Sequence, residues 1–244
     1  MNDDHQEFLR ERVVRIAAYP DNSALTVSAN AFLCESLGAQ YSYNFDWLGL
    51  PIIQYPQDLI ALQEIIWNTQ PDLIIETGIA RGGSLIFHAS MLELLGKDGL
   101  VVGIDIDLRQ HNRKRILAHP LAHRIKLFDG SSIAPDIIAN ITALAKDKNC
   151  LLILDSNHTH EHVLAELNAY TPFVAFGGYC VVFDTIIECM PPGYYQDRPW
   201  DRGNSPATAV AQFLKDHPEW LVDQSITDRL LVSAAHGGYL KRAG

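Results

Sequence analysis

The chain has 244 residues and carries 19 Lys and Arg against 29 Asp and Glu, a formal net charge of −10. An acidic chain without a basic run is a poor match for a phosphate backbone, which argues against nucleic acid as a partner. The charged N-terminal segment argues against a signal peptide, and no apolar stretch is long enough to be inserted stably in a membrane. Four cysteines without metal or disulfide spacing predict a reducing, cytoplasmic location.

Strand-like and helix-like segments alternate from Pro71 onward. The predicted strands cover residues 72–77, 100–107, 123–130, 151–155 and 179–184, and residues 219–224 and 229–234 are predicted to close one edge as an antiparallel hairpin. Nearly continuous apolar strands separated by amphipathic helices are typical of a parallel sheet that is covered on both faces. The sequence therefore predicts an α/β fold with a doubly wound, mostly parallel seven-stranded sheet.

The two ends of the chain differ from this pattern. Residues 5–18 and 56–69 are predicted helices that precede the first strand, and without a clean linker we predict one domain, in which an N-terminal helical extension (1–70) packs on a core (71–244). Residues 186–206 are rich in Pro, Gly and aromatic side chains, and so long a loop in a compact domain is usually functional. We predict that it is a lid whose Trp200 and Arg202 contact a ligand.

A glycine-rich loop follows the first predicted strand. Its candidate cofactor-binding residues are Glu76, Thr77, Gly78, Arg81, Gly82, Gly83 and Ser84. The spacing G-x-x-x-G-G differs from the G-x-G-x-x-G of dinucleotide binders, and a glycine loop alone also fits an ordinary strand-to-helix turn. However, Asp105 ends the second strand at about the distance where an acid binds a ribose. Together these features favour a nucleoside-bearing cofactor, S-adenosylmethionine rather than NAD, with Ser131 and Asp155 as further candidate contacts.

Two carboxylates end neighbouring strands farther along the chain. Asp155 follows the fourth predicted strand and Asp184 follows the fifth, so both belong to the carboxyl edge of the sheet. Either residue alone also fits a helix N-cap. The pair at equivalent positions favours a hard cation such as Mg²⁺, for which carboxylates and water are the preferred ligands.

Three histidines, His158, His160 and His162, follow Asp155 closely. His158 and His162 have the spacing of one helix face. The run resembles the start of the H-x-H-x-D-H motif of metallo-β-lactamase-type hydrolases, but the Asp is missing and that fold has no use for the glycine loop. We therefore interpret His160 and His162 as structural and single out His158 at the mouth of the site.

Six motifs occur in a fixed order between Trp47 and Arg242. They are WLGLPIIQYPQDLIALQEIIW, PDLIIETGIARGGS, GIDIDLR, LLILDSNHTHEHVLAEL, VVFDT and GGYLKR. In this arrangement the chain resembles the family of cephalosporin hydroxylase-like proteins and rhamnosyl O-methyltransferases. The resemblance implies a class I methyltransferase fold that uses S-adenosylmethionine and Mg²⁺ to methylate a hydroxyl of a sugar, a glycosylated natural product or a polysaccharide. It also implies that Asp155 and Asp184 bind the metal and that His158 is the catalytic base.

One position departs from the family pattern. Better-known members carry Glu then Asp at the end of the fifth strand, whereas this chain has Phe183 before Asp184. The metal would keep one fewer carboxylate, and Glu188 or water would fill the gap. Two alternatives stay open: an iron- or zinc-dependent oxygenase or hydrolase that uses Asp155, His158 and His162, and a non-catalytic protein that binds S-adenosylmethionine. The expected partner is a small-molecule or saccharide acceptor, with a homo-oligomer left open.

Overall fold

The computed structural model describes residues 3–244. The helices are α1 (Asp4–Ala17), α2 (Ser23–Gly38), α3 (Pro56–Thr69), α4 (Gly83–Leu95), α5 (Gln110–Leu117), α6 (Pro135–Ala145), α7 (His160–Tyr170), α8 (Pro206–Asp216) and α9 (Gln224–Leu230). The strands are β1 (Phe45–Trp47), β2 (Leu50–Ile52), β3 (Leu73–Thr77), β4 (Leu100–Asp105), β5 (Ile125–Asp129), β6 (Cys150–Leu154), β7 (Tyr179–Val182), β8 (Trp220–Val222) and β9 (Tyr239–Arg242). Across this described part, no helix combines the length and the apolar character needed to span a bilayer.

Seven strands form one sheet in the order β5-β4-β3-β6-β7-β9-β8. The first five strands of this order pair in parallel, and β9 pairs antiparallel with both β7 and β8. The predicted α/β fold with a mostly parallel seven-stranded sheet is confirmed. The chain runs from β3 outward to β5 and then returns to place β6 on the other side of β3. Ligands of such sheets bind at this switch point, outside the carboxyl ends of the strands.

Two apolar layers cover the faces of the sheet. In β3, Ile74 packs into the layer formed by α3, α4 and α9, and Leu73 and Ile75 pack into the layer formed by α6, α7 and α8. Every residue of β3 is buried, as expected for a strand inside a doubly covered sheet. Because the central strands are held from both faces, the loops at their carboxyl ends are attached to a rigid support.

The N-terminal segment contains more structure than the sequence indicated. The predicted helix at residues 5–18 corresponds to α1, but α2 was not predicted, and the aromatic segment after it forms the β1–β2 hairpin. The hairpin lies against the start of α4, where a Cβ on Gly83 would come within 2.3 Å of the Pro51 carbonyl oxygen. The hairpin therefore reaches the glycine loop. The division into an extension (1–70) and a core (71–244) stays a prediction.

The prediction of a strand at residues 229–234 is wrong. Helix α9 occupies the first part of this segment, since the Asp223 side chain accepts a hydrogen bond from the Ser225 amide and caps the helix. The second strand of the antiparallel pair is instead β9, which begins after Gly238 and lies between β7 and the edge strand β8. Val232, Ala234 and Ala235 are buried in the apolar layer that contains α3, and they do not join the sheet.

Asp58 connects α3 to the segment before β9. Its buried carboxylate accepts hydrogen bonds from Ser233 Oγ (2.6 Å), Tyr239 Oη (2.6 Å) and the Ala234 amide (2.9 Å). The Ala234 carbonyl in turn accepts a hydrogen bond from Thr185 Oγ1 at 3.3 Å. Burial raises the pKa of Asp58 to about 6, although its three hydrogen-bond donors lower it. The contacts of Asp58 thus extend to the residue that follows Asp184.

We expect Asp58→Asn to change how stability depends on pH. The pKa of Asp58 is higher in the folded state, about 6, than its ordinary value of 3.8. The folded state therefore binds the proton more tightly, and the contribution of Asp58 to the free energy of unfolding falls as pH rises from about 4 through 6. This difference in pKa corresponds to a loss of about 3 kcal/mol in the free energy of unfolding. Urea unfolding should show wild type losing most of this stability relative to Asp58→Asn between pH 4 and pH 7.

The exposed Asp21→Asn substitution is the matched control, because it removes a carboxylate that is not buried. Its difference from wild type should not vary with pH over the same range. A difference between wild type and Asp58→Asn that is equally independent of pH would contradict the prediction.

Candidate active site

A cavity of about 830 Å³ opens at the carboxyl ends of β3, β4, β6 and β7. Most of the predicted site residues line it, namely Glu76, Gly78, Arg81, Gly82, Gly83, Ser84, Asp105, Asp155, His158 and Asp184. The structure therefore brings the glycine loop and the two metal-binding candidates into one space. Two predicted residues are not part of its wall. Thr77 is buried at the end of β3, and Ser131 lies beyond β5 with its carbonyl bonded to the Ala134 amide.

The glycine loop makes two strand ends approach each other closely. Gly78 has a φ of +87°, and a Cβ on this residue would lie 2.0 Å from the carbonyl oxygen of Asp155. The Asp155 amide donates to the Thr77 carbonyl at 2.9 Å, which continues the β3–β6 pairing. A side chain at position 78 is therefore excluded by both conformation and space. The requirement for Gly78 comes from the fold, whether or not a ligand is bound.

Asp105 holds the outer part of the same loop. One carboxylate oxygen accepts hydrogen bonds from the amides of Ile79 (2.8 Å) and Ala80 (3.3 Å), and the other accepts one from the Asp107 amide (2.9 Å). The sequence predicted Asp105 as a ribose contact, and the structure adds that it shapes the loop. The oxygen that accepts from Asp107 still has a free acceptor site, so Asp105 can both shape the loop and contact a ribose.

Glu76 is buried at the base of the loop, where its side chain contacts two residues of α4. Ser84 Oγ donates to one carboxylate oxygen of Glu76, and His88 Nε2 lies 3.1 Å from the other. His88 is itself almost completely buried. These contacts place a negatively charged group beneath the cavity and tie the end of β3 to the helix that follows.

Asp155, His158 and Asp184 form a cluster whose candidate ligand atoms all lie within 4.8 Å of one another. His158 Nε2 lies 3.0 Å from Oδ2 of Asp184. Asp184 has a φ of +55°, a conformation that costs free energy for a residue with a side chain and that often marks a functional site. The predicted strand at 179–184 therefore ends early, at Val182, and Asp184 turns into the cavity.

The electrostatics of the cluster favour a cation. Burial, followed by the neighbouring charge of Asp184, raises the pKa of Asp155 well above its ordinary value. For Asp184, burial also raises the pKa, but the charge and hydrogen bond of His158 outweigh it and the net shift is downward. Two partly buried carboxylates held this close repel each other unless a proton or a cation lies between them. Two carboxylates beside an imidazole are also a suitable set of ligands for a divalent ion.

The other two histidines have structural partners. His160 contacts Thr208 Oγ1 (2.8 Å) and Gln212 Oε1 (3.0 Å) on α8. His162 Nε2 lies 3.0 Å from Ser132 Oγ and 3.4 Å from the buried Glu166 carboxylate. The interpretation that His158 and His162 share a helix face is wrong, because α7 begins only at His160. His162 therefore does not join the cluster, and the alternative built on Asp155, His158 and His162 loses its second histidine.

Phe183 fills the position where the family pattern has Glu. Its side chain is buried and forms part of the cavity wall, so it contributes no ligand atom. Glu188, the predicted substitute, instead accepts hydrogen bonds from the Gly203 amide (3.0 Å) and Ser205 Oγ (2.7 Å). Glu188 thereby holds the start of α8 and lies outside the cluster of Asp155, His158 and Asp184.

Sequence reasoning missed Gln54. This residue lies between β2 and α3, lines the cavity and donates from Nε2 to Oδ2 of Asp155 at 3.1 Å. It is 101 residues from Asp155 along the chain, and no motif connects the two. Its position inside an apolar segment, just before the Pro that begins α3, was the one available signal.

Aromatic side chains form the rim of the cavity. Tyr194, Tyr195 and Trp200 belong to the predicted lid segment 186–206 and line the opening. The Trp200 ring contacts the His158 ring edge-on, with centroids 4.7 Å apart, and the Arg198 guanidinium lies over the indole, 5.4 Å from its centroid. Arg202, predicted to share this role, does not line the cavity.

Solved structures with the same fold include two of CmcI. The apo structure of CmcI superimposes with a TM-score of 0.59 at 20% sequence identity, over 83% of this chain and 77% of that one. A CmcI structure with Mg and SAM gives a TM-score of 0.56 at 20% identity, over 83% of this chain and 78% of that one. At these identities the likeness concerns the fold.

Curated relatives are closer in sequence. The rhamnosyl O-methyltransferase of Mycobacterium bovis (strain BCG / Pasteur 1173P2) is 28% identical over 204 residues, which cover 80% of this chain and 77% of that protein. The protein of the same name in Mycobacterium leprae (strain TN) is 30% identical over 149 residues, 59% of this chain and 62% of that protein. The family model "Rhamnosyl O-methyltransferase/CmcI" matches residues 39–243. As its motifs predicted, the chain belongs to the rhamnosyl O-methyltransferase/CmcI family of O-methyltransferases.

Proposed function

We propose that the chain transfers the methyl group of S-adenosylmethionine to a hydroxyl of a sugar or of a glycosylated natural product, with the help of Mg²⁺. One observation carries the proposal: a single cavity contains the glycine loop with Asp105 at one side and the cluster of Asp155, His158 and Asp184 at the other. Methyl transfer to an oxygen needs a bound donor and a group that removes the proton of the acceptor. The two halves of the cavity suit these two tasks.

The names of the relatives support a sugar as the acceptor. The Mycobacterium bovis relative is called a rhamnosyl O-methyltransferase, and it aligns with 80% of this chain. The aromatic rim is consistent with this class of ligand, because the apolar face of a sugar ring packs on an aromatic ring while its hydroxyls need polar partners. Trp200 is the ring that lies beside His158. We propose that the acceptor lies against Trp200.

The cofactor half of the cavity is formed by the glycine loop and two acids. S-adenosylmethionine supplies an activated methyl group when it is bound there. Asp105 at the end of β4 is suited to accept hydrogen bonds from the ribose hydroxyls, and the loop at Gly78 lets the ligand approach the backbone closely. Glu76 places negative charge near the base of the loop, where it favours the positively charged amino end of the cofactor.

The metal half is formed by the two aspartates. Asp155 and Asp184 would hold Mg²⁺, which lowers the pKa of a hydroxyl that it binds and orients that hydroxyl. The partly buried pair fits the ion, since two close carboxylates otherwise repel each other. With Phe183 in place of Glu, water would complete the coordination more than in other members.

His158 is proposed to take the proton of the acceptor hydroxyl at Nδ1, because its Nε2 carries the proton that it donates to the Asp184 carboxylate. Histidine titrates near neutral pH and is a common general base. The carboxylate of Asp184 lies 3.0 Å from Nε2 and stabilises the imidazolium that forms. The Trp200 ring packs against His158 and limits its rotation. The proton acceptor is thereby held at the rim of the metal half of the cavity.

The proposed reaction is tested directly by methylation of a panel of sugars and glycosides with labelled S-adenosylmethionine. We expect label in at least one sugar, loss of turnover in excess EDTA and recovery with Mg²⁺ or Mn²⁺. Full activity in EDTA would show that Phe183 marks a metal-free variant. Tight cofactor binding without transfer to any acceptor would instead favour the non-catalytic alternative.

We expect His158→Ala to lower kcat by roughly 10²–10⁴-fold, the usual contribution of a general base. Affinity for S-adenosylhomocysteine should change little, because His158 belongs to the other half of the cavity. His160→Ala is the matched control, since His160 contacts Thr208 and Gln212 on α8. Single-turnover methylation and calorimetry separate the two effects. Near-wild-type turnover by His158→Ala would show that another group takes the proton.

Asp105→Ala should weaken binding of S-adenosylmethionine by about 1–3 kcal/mol, the cost of losing hydrogen bonds to a charged group. The substitution removes two sets of hydrogen bonds: those expected to the ribose, and those that hold the amides of Ile79 and Ala80 in the loop. Asp98→Ala is a suitable control, as it removes an exposed acid that does not line the cavity and leaves the loop contacts in place. Calorimetry with equal affinities for wild type and Asp105→Ala would exclude the assigned role.

A further inference from the structure

Gln54 is a buried polar side chain at the edge of the metal half of the cavity. It is 6% exposed, and it lies on the segment that joins the β1–β2 hairpin to α3. Its Nε2 donates to Oδ2 of Asp155 at 3.1 Å. Its neighbour Tyr55 is 1% exposed and forms a 2.7 Å hydrogen bond with Ser36 of α2. Gln54 therefore extends from a fixed backbone towards the cluster.

The backbone of Asp155 is also fixed. Its amide donates to Thr77, and its carbonyl occupies the space beside Gly78. The direction of the carboxylate is then decided by rotation of the side chain. Within residues 3–244, the bond from Gln54 is the one hydrogen bond that the Asp155 side chain forms. Nothing else of comparable strength selects its orientation.

We infer that Gln54 is a positioning residue for the divalent cation: it binds one oxygen of Asp155 and leaves the other directed towards Asp184 and His158. The inference rests on the proposed metal dependence. A neutral amide suits this role, since a lysine at this position would repel the cation and a carboxylate would repel Asp155. Because Phe183 provides no ligand atom, only two carboxylates are left in the cluster, and the orientation of each has more influence on affinity.

The test is the affinity of the full chain for Mn²⁺, measured by electron paramagnetic resonance. Gln54→Met keeps the length of the side chain and removes the amide, and Gln54→Asn keeps the amide and shortens its reach. Both should raise the Kd for Mn²⁺ by about tenfold, as is typical for partners of metal ligands. Gln212→Met is the matched control, because it removes a glutamine that contacts His160 outside the cluster. It should bind Mn²⁺ like wild type.

Two further measurements separate positioning from a general structural role. The Tm and the affinity for S-adenosylhomocysteine should be as little changed in the Gln54 variants as in Gln212→Met. Wild-type Mn²⁺ affinity in both Gln54 variants would overturn the inference and leave the proposed function standing. A parallel loss of Tm, cofactor affinity and Mn²⁺ affinity would also overturn it. Absence of Mn²⁺ binding in wild type would overturn it together with the proposed metal dependence, while methyl transfer in EDTA would still be measurable.

Discussion

The carbonyl of Asp155 lies where a side chain on residue 78 would be, and the site depends on this close approach of two strand ends. It follows from the parallel pairing of β3 with β6, whose ladder continues through the Thr77–Asp155 hydrogen bond. Because the pairing is continuous, the glycine loop and the aspartate cannot shift independently. The same contact that requires Gly78 also fixes where the Asp155 side chain starts. The distance between the two halves of the cavity is thus a property of the sheet.

Two acids in or near the cavity, Asp58 and Asp155, reduce the stability of the folded state when they are ionised. Asp58, Asp155 and Asp184 are close enough to affect one another, and burial raises the pKa of the first two. A fold selected for stability alone would place apolar residues there, and such local conflicts are expected at functional sites. Hydrogen bonds from Ser233, Tyr239 and Gln54 reduce the cost of this charge. The tendency of the cluster of Asp155, His158 and Asp184 to attract a cation therefore arises from the protein's own charges.

The N-terminal segment contributes directly to the cavity. The β1–β2 hairpin packs on the start of α4, and the residues after it bring Gln54 to Asp155. Tyr55 and its hydrogen bond to Ser36 link this segment to α2. The segment before the first strand of the large sheet is therefore more than a covering of the core. It supplies part of the cavity wall, including Gln54 beside Asp155.

Much of this protein was determined by local sequence. The apolar runs that became β3, β4, β6 and β7 are buried on both faces, and this pattern alone predicts a parallel sheet with its ligands at the carboxyl edge. The sequence also places glycines and acids directly after these strands. Gly78 and Gly82 adopt a positive φ in the turn, and Gly83 has no room for a side chain. By contrast, the run at 229–234 looked like a strand. The end of this run is buried, and its residues Ser233 and Ala234 contact Asp58 of α3. These contacts depend on how α3 packs, which the local sequence does not show.

The tertiary structure decided which polar groups meet. His158 and His162 are four residues apart, yet the helix begins between them and only His158 reaches Asp184. Gln54 and Asp155 are brought together across 101 residues by the packing of the hairpin on α4. Local propensity depends on near neighbours along the chain, whereas these contacts depend on the direction in which whole elements pack. The sequence therefore predicted which residue types belong to the site, but it did not predict which of these side chains contact one another.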